Sequence, residues 1–117
     1  MKKRIIDKNK VYKLLKQVPK GKITTYKGLA EAVGHPNAAR AIGAIMRVNP
    51  YAPIVPCHRV VYSDGSLGGF SGMERIGEKV KFLNSEGILI NDGKIVHFKE
   101  HLFKNFSLRA TEKEALP

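Results

Sequence analysis

Apolar residues along this chain recur at helical spacing in its first half and pair into short strand-like runs only near its end. Val11, Leu14, Leu15 and Val18 share one helical face, and Pro19, Lys20 and Gly21 stop that helix. A second helix is predicted to start with Thr24 or Thr25 as cap, to carry Tyr26, Leu29, Ala30 and Val33, and to end at Gly34. After His35 and Pro36, Asn37 is placed to cap a third helix with Ala38, Ala41, Ile42 and Ile45 on its inner face, closing before Asn49 and Pro50. Two short helices joined by a tight turn at Gly34 suggest a helix-turn-helix. From Tyr51 to Gly72 neither period holds, and the density of Pro, Gly and Ser predicts a long ordered loop. Ile76, Val80 and Leu83 mark a fourth helix that Gly87 terminates. Ile88 to Ile90 and Lys94 to Phe98, around Asn91, Asp92 and Gly93, predict a small hairpin. The expected fold is mainly α with a small β wing, winged-helix-like and containing a helix-turn-helix.

Length narrows this to one domain, because 117 residues at 43% hydrophobic build one modest core. Residues 1–108 are expected to form it, with Phe103, Phe106 and Leu108 docking the last segment, and residues 109–117 to be a polar tail or linker. A single cysteine excludes an internal disulfide, and the charged Asp7 and Lys8 cut short any apolar leader. No apolar run approaches the length that crosses a bilayer, so the expectation is a cytoplasmic protein with no membrane partner. The formal net charge of +11 points to a polyanion, nucleic acid first, although a lysine-rich solvated surface would account for charge alone. The third helix adds weight to DNA. Ala38, Ala39, Ala41, Gly43 and Ala44 leave it nearly bare of bulk, with Arg40 and Arg47 projecting. Small residues also permit close helix packing, but the arginines favour a DNA-binding domain.

Chemistry is concentrated at Pro56, Cys57, His58, Arg59 and Val60, where the only cysteine stands beside a histidine in an apolar frame. A thiol attacks as the thiolate, so a neighbouring base or positive field must favour that form, and His58 and Arg59 supply both. Out of context, an isolated cysteine is simply a small buried hydrophobe.

The context is a series of blocks in order. Ile23, Thr24, Thr25, Tyr26 come first, then Ala38, Ala39, Arg40, Ala41, Ile42, Gly43, then Met46, Arg47, Val48, Asn49, Pro50. PCHRV follows, then Gly69, Phe70, Ser71, Gly72, and finally Lys79, Phe82, Leu83, Glu86, Gly87. Together they resemble the C-terminal, catalytic domain of the O6-alkylguanine-DNA alkyltransferases, the single-turnover DNA repair proteins, over roughly Val11 to Phe98.

The resemblance implies a methyltransferase that moves an alkyl group irreversibly from O6 of guanine in duplex DNA to Cys57, with no cofactor. It implies that His58 relays a proton through water, that Glu86 holds His58 in the right tautomer, and that Tyr26 donates a proton toward guanine N3. Asn49 would tie the helix-turn-helix to the active-site loop. Arg40 would fill the stack vacated by the flipped base, entering from the minor groove. Thr25, Lys27, His35, Arg47 and Ser63 would lie near the DNA backbone or flanking bases. The Val60 backbone, Phe70, Ser71 and Gly72, with Met46 as an apolar wall, would receive the guanine.

The family commonly carries an N-terminal domain ahead of the helix that begins here near Asp7, so the chain reads as a minimal form or a domain of a longer protein, expected as a monomer. Zinc-binding cysteines are missing, and His97 with His101 lack a third ligand, so no metal is expected. Phe70 stands where tyrosine is also common. Small alkyltransferase-like relatives replace the cysteine and only bind lesions. A non-catalytic lesion sensor is therefore the alternative, and Cys57 argues against it.

Overall fold

Helix boundaries follow the capping chemistry closely. In the computed structural model, which describes residues 5–67 and 73–117 (side chains of 73–75 aside), α1 spans Lys8–Leu15 and is capped by Asp7, whose carboxylate accepts the Lys10 amide at 3.2 Å. Thr25 caps α2, Tyr26–Ala32, by accepting the Gly28 amide at 2.8 Å. Gly34, at φ +90°, ends it: the His35 amide reaches back to the Ala30 carbonyl at 2.8 Å and the Gly34 amide to Glu31 at 3.1 Å. That double bond pattern satisfies the last carbonyls of the helix and needs the left-handed conformation glycine adopts without strain.

The third helix, α3, spans Ala39–Arg47 and corrects two expectations. Its cap position is Ala38, with no side-chain bond, so Asn37 does not cap it. Ala41 is exposed, and the buried face is Ile42, Ile45 and Met46. Asn37 lies instead in the turn before the cap position, where the Ala38 amide reaches back to the His35 carbonyl at 2.9 Å. Exposed Arg40, Ala41, Ala44 and Arg47 consequently form a barer outer face than the sequence suggested.

The segment expected as a loop from residue 51 contains a 3₁₀ turn at Cys57–Arg59 and a strand, β2, at Val60–Val61. β2 pairs in parallel with β1, Thr24–Thr25. Ile23 is bracketed on the other side by the His101 carbonyl at 2.9 Å and the Phe103 amide at 2.8 Å. A two-residue strand is too short to show a period, which is why it was invisible in the pattern. After α4, Met73–Ser85, Gly87 at φ +81° repeats the cap seen at Gly34: the Ile88 amide bonds the Leu83 carbonyl at 3.0 Å and the Gly87 amide Asn84 at 3.1 Å. Leu83 and Ile88 bury together beneath it.

The hairpin forms, but it is shorter than predicted. β3, Ile90–Asn91, pairs antiparallel with β4, Lys94–Ile95, through Asp92 and Gly93, both at positive φ. Val96, His97 and Phe98 leave the strand: His97 is left-handed, and Phe98 opens α5, Phe98–His101. Two cores result. One joins α1, α2 and α3 through Val11, Leu14, Leu29, Ile42 and their neighbours; the other packs Ile23, Val61, Leu67, Leu83, Ile88 and Ile95 under the hairpin. The Tyr12 hydroxyl donates to the Ile45 carbonyl at 2.9 Å and fixes α1 against α3.

Residues 109–117, expected as a polar tail, are tied to α1. α6 covers Leu108–Thr111, Thr111 is buried, Leu116 packs on the first core, and Lys16 reaches both Glu114 at 3.2 Å and the Ala115 carbonyl at 2.9 Å. Gln17 and Ser107 exchange two bonds at 2.8 and 2.9 Å. Deleting residues 107–117 is expected to cost about 2 kcal/mol, chiefly from uncovered apolar surface, and to lower Tm by roughly 8 to 16 °C. Thermal unfolding followed by circular dichroism checks it, and an unchanged Tm would mean the segment is only laid on the surface.

Candidate active site

Cys57 opens the 3₁₀ turn, its amide held by the Val55 carbonyl at 2.9 Å, and it is half-buried. The turn is braced from below by Asn49, which follows α3. Its Nδ2 donates to the Val55 carbonyl at 2.8 Å, and its Oδ1 accepts the Tyr51 amide at 2.9 Å. With the Val55 amide on the Tyr51 carbonyl at 3.0 Å, the loop from 49 to 55 is closed at its neck. Asn49, Val55 and Cys57 thus form a short hydrogen-bonded path from the end of α3 to the cysteine turn.

The neighbouring His58 is buried, and its Nε2 lies 2.9 Å from Glu86 Oε2. An ionised carboxylate only accepts, so Nε2 carries the hydrogen and the neutral ring presents Nδ1 as its basic nitrogen. Burial lowers the His58 pKa from 6.5, against the opposing pull of Glu86. The ring is thus neutral, and able to take a proton, at ordinary pH.

Glu86 sits at the C-terminal cap of α4, where Gly87 turns the chain, and only 8% of its side chain is exposed. Arg59 grips it in a fork, Nε to Oε1 at 2.8 Å and Nη2 to Oε2 at 2.7 Å, while Nη1 donates to the Val18 carbonyl at 2.8 Å. Burial alone would raise the Glu86 pKa, but the bonds from Arg59 and His58 outweigh it and hold the carboxyl below its ordinary value. Arg59, expected to supply a positive field for the thiol, is instead committed to Glu86 and to the turn that follows α1.

Lys79 is the residue whose importance the sequence understated. It is 3% exposed, its Nζ donates to the Val60 carbonyl at 2.5 Å, and it lies 5.7 Å from the Tyr26 ring centroid. Burial pushes its pKa down to about 8, and negative charge at Cys57 opposes that shift. A lysine on the apolar stripe of α4, in helical register with Leu83 and Glu86, was the available signal. Cys57, His58, Lys79, Glu78, Phe82, Ala52 and Pro53 line one cleft of about 130 Å³.

Tyr26 is 4% exposed, and its hydroxyl has no hydrogen-bond partner among the described residues. Burial, then Tyr62 and Cys57, raise its pKa above the ordinary tyrosine value, so it stays a neutral donor. Met46 and Val60 lie in the first core with Tyr26. Arg40 and Arg47 are two turns apart on exposed α3, Lys27 is exposed on α2, His35 is half-buried in the turn, and Ser63 is exposed beyond β2. Thr25 is largely buried and engaged as a cap. Phe70, Ser71 and Gly72 lie outside the described residues.

Structure and site together define a mainly helical domain with two small sheets, whose cysteine shares a cleft with an imidazole bonded to a carboxylate. Residues 7–88 match the family described as 6-O-methylguanine DNA methyltransferase, DNA binding domain, and the chain belongs to that family. A bifunctional methyltransferase/endonuclease of Picrophilus torridus is 46% identical over 96 residues, 82% of this chain and 31% of the relative. A methylated-DNA–protein-cysteine methyltransferase of Rattus norvegicus is 48% identical over 80 residues, 67% of this chain and 37% of the relative. The chain thus spans about a third of the length of these curated relatives. Among solved structures, S. pombe Atl1 in complex with damaged DNA containing O6-carboxymethylguanine superposes with a TM-score of 0.78 at 29% identity, covering 88% of this chain and 100% of that one. No helix among the described residues is long and apolar enough to cross a membrane.

Proposed function

We propose that this protein repairs DNA by transferring a methyl or other small alkyl group from O6 of guanine in duplex DNA to Cys57, once per molecule and without a cofactor. The observation that carries the reading is the Glu86-held His58 beside Cys57, with Nε2 engaged and Nδ1 left to accept a proton. In the proposed step His58 takes the thiol proton through water, the sulfur attacks the alkyl carbon, and the carbon–oxygen bond breaks with its electron pair going to guanine. Tyr26, buried and neutral, donates toward N3 so that the base departs uncharged. The thioether does not reverse.

DNA recognition is assigned to the helix-turn-helix of α2 and α3, entering the minor groove, with the β3–β4 hairpin as the wing of a winged-helix-like domain. Arg40 replaces the flipped base in the stack. Thr25, Lys27, His35, Arg47 and Ser63 lie along the duplex, while Met46, Val60, Phe70, Ser71 and Gly72 receive the guanine. Asn49 couples the recognition helix to the cysteine turn. The compartment assigned to it is the cytoplasm. A lesion sensor is the second reading, favoured by the match to the whole S. pombe Atl1 chain.

Intact mass after incubation with duplex O6-methylguanine DNA separates the two. Gain of one methyl supports transfer, whereas lesion-selective binding without a mass change supports the sensor. Arg40→Ala is expected to slow repair of duplex substrate by roughly 100-fold, the scale of the few kcal/mol needed to extrude a base, and to leave reaction with free O6-alkylguanine within about 2-fold. Equal losses on both substrates would remove Arg40 from the flipping step.

A further inference from the structure

We propose that Phe82 is a positioning residue for His58, holding the face of the imidazole while Glu86 holds its edge. The inference rests on the transfer reading above. One hydrogen bond through Nε2 leaves the ring able to swing about that contact, because the terminal torsion of histidine is soft. A ring laid against its face removes that freedom. Phe82 does so: the centroids are 4.8 Å apart and the planes differ by 25°.

Both holds come from one stretch of chain. Phe82 is on α4 and Glu86 at its cap, so the turn that places the carboxylate also places the phenyl ring. Phe82 is 41% exposed, too much for a residue whose only task is to fill the core, and it lines the same cleft as Cys57 and His58. The charged and titratable groups around His58 are Glu86, Arg59 and Lys79, with Cys57 and Glu78 on the shared cleft. Arg59 and Lys79 disfavour a further positive charge, Glu86 favours it, and burial, to which the stacked ring contributes, is the largest influence.

The test compares Phe82→Ala, Phe82→Leu and Phe82→Tyr. His58 titration is followed by NMR on DNA-free protein, and single-turnover methyl transfer is measured against pH. Alanine should wet the imidazole, move its titration and the acid limb of the rate upward, and slow transfer at neutral pH on the order of 10-fold, a part of what a well-placed base contributes. Tyrosine should restore both. Leucine, which restores bulk without a flat face, should restore the titration in part but not the rate. The proposal is overturned if alanine leaves the titration and acid limb in place, or if leucine rescues as well as tyrosine. It is also overturned if the sole change is in the ratio of benzyl to methyl transfer, which would make Phe82 a wall of the cleft. Should the wild-type protein transfer nothing, the transfer reading fails, while the NMR titration still decides whether Phe82 governs His58.

Discussion

Cys57→Ala is expected to abolish uptake of the alkyl group completely and to leave binding to O6-methylguanine duplex within about 3-fold of wild type. Complete loss follows from the chemistry, since the chain holds no other cysteine to accept the group. Retained binding follows from the structure. Cys57 is half-buried at the edge of the first core, and the turn that carries it is fixed by backbone bonds and by Asn49, none of which needs the sulfur. The stability cost of removing one sulfur atom there should stay near 1 kcal/mol. Intact mass and fluorescence-anisotropy titration measure the two quantities on the same preparation. Residual methylation of the alanine variant would place the acceptor elsewhere. Lost binding would mean that the thiol is part of the DNA surface.

Much of this was legible in the sequence because the relevant devices are local. Thr25 as cap and Gly34 and Gly87 as terminators declare helix ends within a few residues, and the cysteine and histidine are adjacent in the chain. Glu86 was found only through the order of motif blocks, since nothing local says that a carboxylate at a helix end folds back onto residue 58. Its second partner, Arg59, was misassigned for the same reason: adjacency to Cys57 suggested a field on the thiol, but the guanidinium fork finds the carboxylate. Lys79 and Phe82 belong to the last motif block, and the sequence alone attaches no role to either. One is a buried cation and the other an exposed ring, so each departs from the helical pattern in the direction that marks function. The docking of residues 109–117 was hidden because polar side chains dominate it and the single apolar anchor, Leu116, shows no period.

Glu86→Gln should slow transfer by at least about 100-fold, the lower range of what an oriented general base provides, and should also destabilise the fold. The amide keeps the shape but carries both a donor and an acceptor, so it no longer dictates that His58 Nε2 holds the hydrogen; with the other tautomer Nδ1 cannot accept the thiol proton. Arg59, whose fork now meets a neutral group in a largely buried setting, loses its counter-charge, a change worth roughly 3 kcal/mol where burial is deep and less at this partly solvated site. The pH dependence separates the two effects. The carboxyl is held below its ordinary value in the folded protein, so its contribution is present above about pH 4.5 and disappears as pH falls through the folded value. His58 is also depressed, from 6.5, so the unfolded chain binds its proton first and folded stability declines as pH drops below that point. In the glutamine variant the lower of these two declines should vanish from a urea-unfolding series, while the upper one still begins near the unfolded value and extends further down in pH as His58 loses its anionic partner. Rates normalised to folded protein then report orientation alone. A normal rate per folded molecule would confine Glu86 to a structural clamp between α1, the cysteine turn and α4.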